Sequence, residues 1–546
     1  MLAVKISEPI CPDNQGRALM QMPTARTIPA LLEELAQRWP EREAIVDGTK
    51  RYTYPQLRQA VQDFAKGLYA MGIRKGDKVA ILMGNHAEWI IADLAICSLG
   101  AIMVGLNTWV TDRELKYLIN HSDARMLITC DHFLKTNYTA MLGDLEPHNT
   151  NLPALEMIIQ YPEATYKTAL SYHEIPQRGT MVDDAIIRHM AEAVQPEDVS
   201  YILYTSGSTS TPKGVQLQHY ALIENMWHIG ERMGVTERDK LWLAVSLFWG
   251  LGCENALFNI LTHGACIVLQ NHFEAGEALR IIDTERCTLY YGTPNMAQAI
   301  EDHPERSRYD LGCMRGGGTI GSPEQFARIL SWGATDICNI YGLTETYGNC
   351  NVTDYRMPLE QRLTTVGEPL PGVDMRIVEE ATGRILGPNQ IGEIRMKGYV
   401  TIGYYKDEDK NLAAFDENGY FCTGDIGFLD DNRNLHFRGR IKEMIKTGGI
   451  NVSPVEVEEV LMKHPSVRIA YVVGVQDSVR DEIIGAVIIQ NPKSPAERSV
   501  LEEFARQEMA SYKCPRQYIF LNETDLPLTV TGKIQKNRLH EFFVKS

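Results

Sequence analysis

The sequence has no CxxC pair, no internal repeat, no low-complexity linker and no apolar run long enough to span a bilayer. Each absence removes a class. Without CxxC pairs, the eleven scattered cysteines form neither a disulfide framework nor a zinc site, and buried free thiols in a reducing compartment are expected. Positive charge is also scarce. Lys and Arg number 54 against 70 Asp and Glu, a formal net charge of -16. That balance argues against nucleic acid as a partner, because phosphate backbones call for a basic face. The N-terminal stretch lacks a basic region followed by a long apolar core, so no signal peptide is read. A cytoplasmic location without integral membrane association is expected. What is there is ordinary: 546 residues, 44% hydrophobic and 23% charged, enough for two to four structural units.

Leu57, Val61, Phe64, Leu68 and Met71 recur at helical spacing, and Gly72 closes the pattern. An apolar strand over 78–83, a helix over 87–99 and a strand over 102–106 follow. The alternation returns around 127–129, 265–269 and 289–291, which predicts an α/β fold with a largely parallel sheet. After about residue 365 the strands shorten, over 375–378 and 392–396. Turns such as Glu417-Asn418-Gly419 and Asp430-Asp431-Asn432 separate them, as in hairpins. Beyond Arg440, helices over 455–462 and 500–508 and strands over 469–475 and 483–489 predict a small α+β domain. A boundary near Lys442 divides the chain into 1–441 and 442–546.

A β-type run over 199–204 leads into Thr205, Ser206, Gly207, Ser208, Thr209, Ser210 and Thr211, closed by Pro212, Lys213 and Gly214. Hydroxyls and backbone N–H groups can wrap phosphate oxygens, Gly207 permits close approach, and Lys213 adds a point charge. It is not the common Gly-x-x-x-x-Gly-Lys-Ser/Thr loop, because Pro212 precedes the Lys and Gly214 follows it. Alone, the segment reads equally well as a solvated Ser/Thr/Gly linker. Its company favours phosphate. Tyr341-Gly342-Leu343-Thr344-Glu345-Thr346 offers an aromatic face, a hydroxyl and a carboxylate, and Glu345 suits Mg²⁺, which takes few protein carboxylates beside substrate phosphates. Asp425, after Thr423-Gly424, suits ribose hydroxyls, although alone it is a turn aspartate. Lys533 alone is a surface lysine.

Together these stretches resemble the adenylate-forming superfamily of acyl-CoA synthetases, nonribosomal adenylation domains and luciferases. The resemblance spans about residues 30–540. It rests on YTSGSTSTPKGV at 204–215, YGLTET at 341–346 and GEIRMKG at 392–398. GYFCTGD at 419–425, GRIKEMIKTGGINVSPVEVE at 439–458 and TGKIQK at 531–536 complete it. It implies a large N-terminal domain of two α/β sheet subdomains plus a β-rich subdomain, and a small mobile α+β C-terminal domain. It also implies two half-reactions, in which a carboxylate attacks the ATP α-phosphate and a thiol then displaces AMP. By position, Thr205, Ser206, Gly207, Ser208, Thr209 and Lys213 hold the β and γ phosphates. Thr344 meets the α-phosphate, and Glu345 with Thr209 serves Mg²⁺. Gly317, Gly318, Thr319, Asn339, Tyr341 and Gly342 frame the adenine. Asp425 and Arg440 take the ribose. Lys533 bridges the α-phosphate and the acyl carboxylate, Lys442 is the hinge, and Gly448 and Gly449 face coenzyme A.

The chain departs from the family pattern at several places. Ser210 stands where Gly is usual, Gly318-Thr319 where Ala-Pro is usual, and Trp249 where many members have His. Gly448 replaces a CoA-contacting Lys of some plant relatives. Trp249 reads as a core aromatic or as a wall of the acyl pocket, beside Phe248, Leu251, Gly252, Asn255, Tyr291, Gly316 and Tyr347. The glycines are expected to leave room, and Arg315 is the candidate inward cation. No carrier-protein segment is read after Ser546, so a stand-alone CoA ligase of an apolar or bulky carboxylic acid is expected; the oligomeric state is not readable from the residues, and a homodimer is only a weak implication of the resemblance. A betaine-type CoA ligase, a donor to a carrier protein and a non-catalytic binding protein are the alternatives.

Overall fold

Thr53 starts the helix Tyr54–Ala70 with a capping box, its side chain accepting from Gln56 N while the Gln56 side chain accepts from Thr53 N. Leu57, Val61, Phe64 and Leu68 form its buried face, as their spacing predicts. This computed structural model describes residues 20–143, 147, 152–205, 212–321, 323–447, 450–477, 481–492, 494–528 and 534–544. The chain divides into two compact units, one of residues 1–363, 370–372 and 399–411, the other of residues 364–369, 373–398 and 412–546.

The first unit holds two large sheets among its described residues. The seven-stranded sheet runs Lys213–Gln218, Val199–Thr205, Ile102–Gly105, Lys78–Leu82, Ala124–Cys130, Met157–Tyr161 and Leu170–Ser171. All neighbours are parallel except the first pair, an antiparallel edge hairpin. The eight-stranded sheet runs Gly348–Val352, Asp336–Leu343, Gly316–Thr319, Leu289–Tyr291, Lys240–Leu243, Cys266–Leu269, Glu43–Asp47 and Lys50–Thr53. Its interior is parallel and both edges are antiparallel. Helices such as Ala87–Ser98 bury every residue, which explains why the central strands read as unbroken apolar runs rather than alternations.

The second unit carries the shorter strands. Asp374–Val378, Gly392–Lys397, Phe421–Leu429 and Leu435–Arg440 form an antiparallel sheet. A further sheet runs Ile450–Val452, Ile445–Thr447, Asp481–Gln490 and Val467–Asp477, with Gln517–Phe520 parallel to Asp481–Gln490. Helices Pro454–Met462 and Arg498–Glu508 bury Val457, Leu461, Leu501 and Ala505 with Val472, Ile484 and Ala486 of that sheet. Ser453 caps the first of these helices by accepting from Glu456 N and donates its own proton to Arg438 O. The α/β class with a C-terminal α+β portion is as the sequence implies. The ten cysteines among the described residues are free, and among them no helix is long and apolar enough to cross a membrane.

Candidate active site

Val199–Thr205 and Lys213–Gln218 pair antiparallel with Thr205 opposite Lys213. The loop they bracket, with Ser206, Gly207, Ser208, Thr209 and Ser210, lies outside the described residues. The returning strand is written in the sequence, because Val215 and Leu217 are buried while Gln216 and Gln218 are half-buried. A reading centred on phosphate chemistry passes over that alternation. Residues 401–405 are stitched along this strand: Gln216 N donates to Gly403 O (3.1 Å), Tyr405 N to Gly214 O (2.7 Å) and Thr401 Oγ1 to Gln216 O (2.7 Å). Thr401 N then donates to Glu345 O (2.7 Å), and Tyr404 donates its hydroxyl to Glu345 Oε1 (2.9 Å). Lys213 Nζ lies 4.7 Å from the centroid of the Tyr404 ring. Lys213 and Glu345, 132 positions apart in numbering, thus meet through one tyrosine that no sequence motif singled out.

Glu345 occupies the single turn Thr344–Thr346 that follows strand Asp336–Leu343. Thr346 accepts from Leu343 N (2.9 Å), which closes the turn. Tyr347 follows at φ +54°, an uncommon conformation for a bulky residue, and is held by its surroundings. Its hydroxyl accepts from Gln218 N (2.7 Å), its carbonyl accepts from Asn255 Nδ2 (3.0 Å), and Asn225 Nδ2 donates to Asn349 O (2.9 Å). Asn349 Nδ2 donates to the Tyr291 hydroxyl. Gly342 is required where the two strands approach, since a Cβ there would lie 1.7 Å from Gly348 O.

Gly316–Thr319 runs parallel to Asp336–Leu343, with Thr319 opposite Asn339 and Gly318 opposite Cys338. Thr319 Oγ1 donates to Gly292 O (2.8 Å) and Tyr341 is buried. The glycines correct one expectation. A Cβ on Gly317, whose φ is +123°, would lie 1.9 Å from Tyr290 O, and one on Gly252 would lie 2.4 Å from Ser246 O. They serve close backbone packing and do not open the pocket at their own positions. Arg315 corrects another. It is spent on Asp239 (Nε to Oδ1, 2.8 Å) and on Gly234 O (2.7 Å), so it is no cation for a substrate. The aromatic wall is larger than predicted. Phe248 and Trp249 meet edge to face at 5.4 Å, and Trp109 joins them at 5.6 and 6.0 Å. Trp109 had no signal in the sequence beyond being apolar. Leu251, Gly252 and Asn255 lie on the π-type turn Gly250–Ala256.

In the second unit, Asp425 and Arg440 face each other across neighbouring strands, with Arg440 Nε 3.1 Å from Asp425 Oδ1. Asp425 is buried at 2% exposure, while the Arg440 side chain is 43% exposed. Thr423 Oγ1 orients the turn by accepting from Asp425 N (3.0 Å) and donating to Ile394 O (2.6 Å). Lys442 is exposed in the single turn Ile441–Glu443. Gly448, Gly449 and Lys533 lie outside the described residues.

Comparison with known proteins agrees with this geometry. Residues 32–405 match the family model of the AMP-binding enzymes, and residues 456–533 that of the AMP-binding enzyme C-terminal domain. A Bacillus subtilis protein named as an acyl-CoA synthetase, YngI, is 34% identical over 532 residues, 94% of this chain and 96% of its own. A mitochondrial medium-chain acyl-CoA ligase of Macaca fascicularis is 32% identical over 545 residues, covering 95% of this chain and 87% of its own. Among solved structures, the anthranilate CoA ligase AuaEII with anthranoyl-AMP superposes with a TM-score of 0.83 at 26% identity, covering 96% of this chain and all of its own. ATP-bound MatB from Rhodopseudomonas palustris gives 0.79 at 25% identity, covering 94% and 98%. The chain belongs to the AMP-binding enzyme family, that of the acyl-CoA synthetases and ligases, and is an ATP-dependent, AMP-forming ligase.

Proposed function

We propose that this ligase activates an apolar or bulky carboxylic acid and passes its acyl group to coenzyme A. A carboxylate oxygen of the acid attacks the α-phosphorus of ATP, the bond to the β-phosphate oxygen breaks, and pyrophosphate leaves. The CoA sulfur then attacks the acyl carbon, AMP departs with the former carboxylate oxygen, and the thiol proton goes to solvent. Nucleotidyl transfer of this kind depends on positioning and charge neutralisation. The observation that carries the proposal is the junction of Lys213, Tyr404 and Glu345 beside the mouth of the Thr205/Lys213 hairpin.

In this reading Thr205, Ser206, Gly207, Ser208, Thr209 and Lys213 cradle the β and γ phosphates, and Thr344 meets the α-phosphate. Glu345 has the hard oxygen donor that Mg²⁺ selects, and its partly exposed place in a tight turn fits an ion completed by phosphates and water. When bound, the ion would draw charge from the leaving pyrophosphate. Gly316, Gly317, Gly318, Thr319, Asn339, Tyr341 and Gly342 frame the adenine and the pocket floor. Asp425 and Arg440 take the ribose. Phe248, Trp249 and Trp109 give the acid an apolar wall, which favours an aryl, alicyclic or fatty acid body. Lys533 serves adenylation, Gly448 and Gly449 the thiol step, and Lys442 is the pivot between them. A panel of acids in pyrophosphate–ATP exchange, followed by CoA-dependent AMP release, tests this. Aryl, alicyclic or medium-chain acids should drive both. Exchange that never consumes CoA would move the acceptor elsewhere.

A further inference from the structure

Helix Asp112–Ser122 ends on Asp123, whose φ of +55° is left-handed. Glycine or asparagine suits such a position, and a carboxylate there faces the negative end of the helix dipole. The local rules therefore argue against an acid at 123, and what explains its charge lies elsewhere in the chain. Both carboxylate oxygens are used. Tyr405 donates its hydroxyl to Oδ2 (2.8 Å), and Lys406 donates from Nζ to Oδ1 (2.7 Å). The ion pair adds little stability, since the Asp123 and Lys406 side chains are 41% and 46% exposed. Its effect is on geometry.

Lys406 is itself left-handed at φ +54°, a conformation that a long side chain holds only where its surroundings impose it. Two residues earlier stands Tyr404, whose hydroxyl donates to Glu345 Oε1 (2.9 Å) and whose ring faces Lys213 Nζ (4.7 Å). Tyr404 is thus gripped on two sides. Asn411 accepts from its N–H (2.6 Å) and donates to its carbonyl (2.9 Å), while Asp123 holds the two residues that follow. The same helix end reaches the other wall of the hairpin mouth. His121 Nδ1 lies 2.8 Å from the hydroxyl of Tyr204, the next-to-last residue of strand Val199–Thr205.

We propose that Asp123 is a positioning residue for adenylation: by fixing Tyr405 and Lys406, it aims the Tyr404 hydroxyl at Glu345. This rests on the ligase reading above, in which Glu345 serves the triphosphate, and adds to it a residue that touches neither substrate nor reacting atoms. Small misplacements of a group that orients another cost rate steeply, which is why a half-exposed carboxylate at the end of a helix can matter to chemistry. Asp123 acts only through Tyr404, and that sets the form of the test.

The test is a double-mutant cycle read as kcat/KM in pyrophosphate exchange, with whichever aryl, alicyclic or medium-chain acid drives exchange fastest. Asp123→Gly removes the carboxylate and suits the left-handed backbone, so the melting temperature should hardly move. It should lower kcat/KM about 10-fold. Asp123→Asn, equally suited to that backbone, offers one acceptor oxygen in place of two and should fall between Gly and wild type. In a Tyr404→Phe background, Asp123→Gly should cost no more than about 2-fold further, because the hydroxyl it aims is already gone. Wild-type activity in Asp123→Gly, an activity order that does not follow the number of acceptor oxygens, or a further loss of about 10-fold in the Tyr404→Phe background overturns the proposal and leaves the ligase reading standing. No exchange by the wild type with any acid overturns both.

Discussion

Two tyrosine–carboxylate pairs in the first unit share a chemistry and differ in setting. At the hairpin mouth, Tyr404 donates to Glu345 (2.9 Å), the carboxylate is partly open to solvent, and Lys213 stands over the ring. In the interior, Tyr201 donates to Asp93 (2.6 Å), the pair is fully buried, and Cys97 rather than a cation lies beside it. Burial outweighs that hydrogen bond and raises the Asp93 carboxyl to about 7. Tyr404 feels burial and Glu345 together, which hold its phenol proton in place for donation. The comparison teaches that a Tyr–acid pair alone marks no active site. Solvent access and a neighbouring cation separate the pair at the hairpin mouth from the pair that ties a helix to a sheet.

The sharpest way to break the comparison is to delete each acid. Glu345→Ala is expected to lower kcat/KM for pyrophosphate exchange by about 1000-fold, the scale of losing a main charge-stabilising group, with little change in melting temperature. Asp93→Ala should do the reverse, destabilising the fold while any surviving folded enzyme exchanges at near wild-type kcat. Equal activity losses in the two variants would erase the distinction.

Removing one hydroxyl from each pair is gentler. Tyr404→Phe should reduce exchange about 10-fold, because the tyrosine orients Glu345 and does not itself carry the charge. Tyr201→Phe leaves the buried Asp93 carboxyl only the long Cys97 Sγ contact (3.8 Å) and should cost about 1–3 kcal/mol of stability with kcat retained. Chemical denaturation beside steady-state assays separates the two outcomes.

The last effect is a pH dependence. Asp93 holds its proton up to about 7 in the folded chain and only to about 3.9 when unfolded. Between those values the folded state binds more protons, so the stabilising term is complete below the unfolded value and is lost as pH rises through the folded one. Asn at 93 does not titrate. The melting temperature of Asp93→Asn should therefore gain on wild type between pH 5 and pH 8, and a gap that stays constant would show that Asp93 does not titrate in that window.

Much of the scaffold could be read from residue order. Helical spacing located Tyr54–Ala70 and its buried face, and apolar runs located Lys78–Leu82 and Leu289–Tyr291. The strand Lys213–Gln218 was legible in its period-two burial, yet chemistry drew the eye to the loop before it. Tyr404 was not legible, because nothing in Gly403-Tyr404-Tyr405 says that it folds back against Gly214 and Glu345. The pocket glycines were legible as glycines and misleading as space, since whether a missing Cβ opens a void depends on the strand packed against it.

By itself the sequence determined the fold class, the place of several helices and strands along the chain, and the family, because periodicity and short motifs are properties of neighbours along the chain. Only the tertiary structure decided that Arg315 is spent on Asp239 and that Lys213 and Glu345 share a tyrosine. The physical reason is that desolvation and hydrogen-bond satisfaction depend on what surrounds a group in space, and those surroundings come from residues scores of positions away.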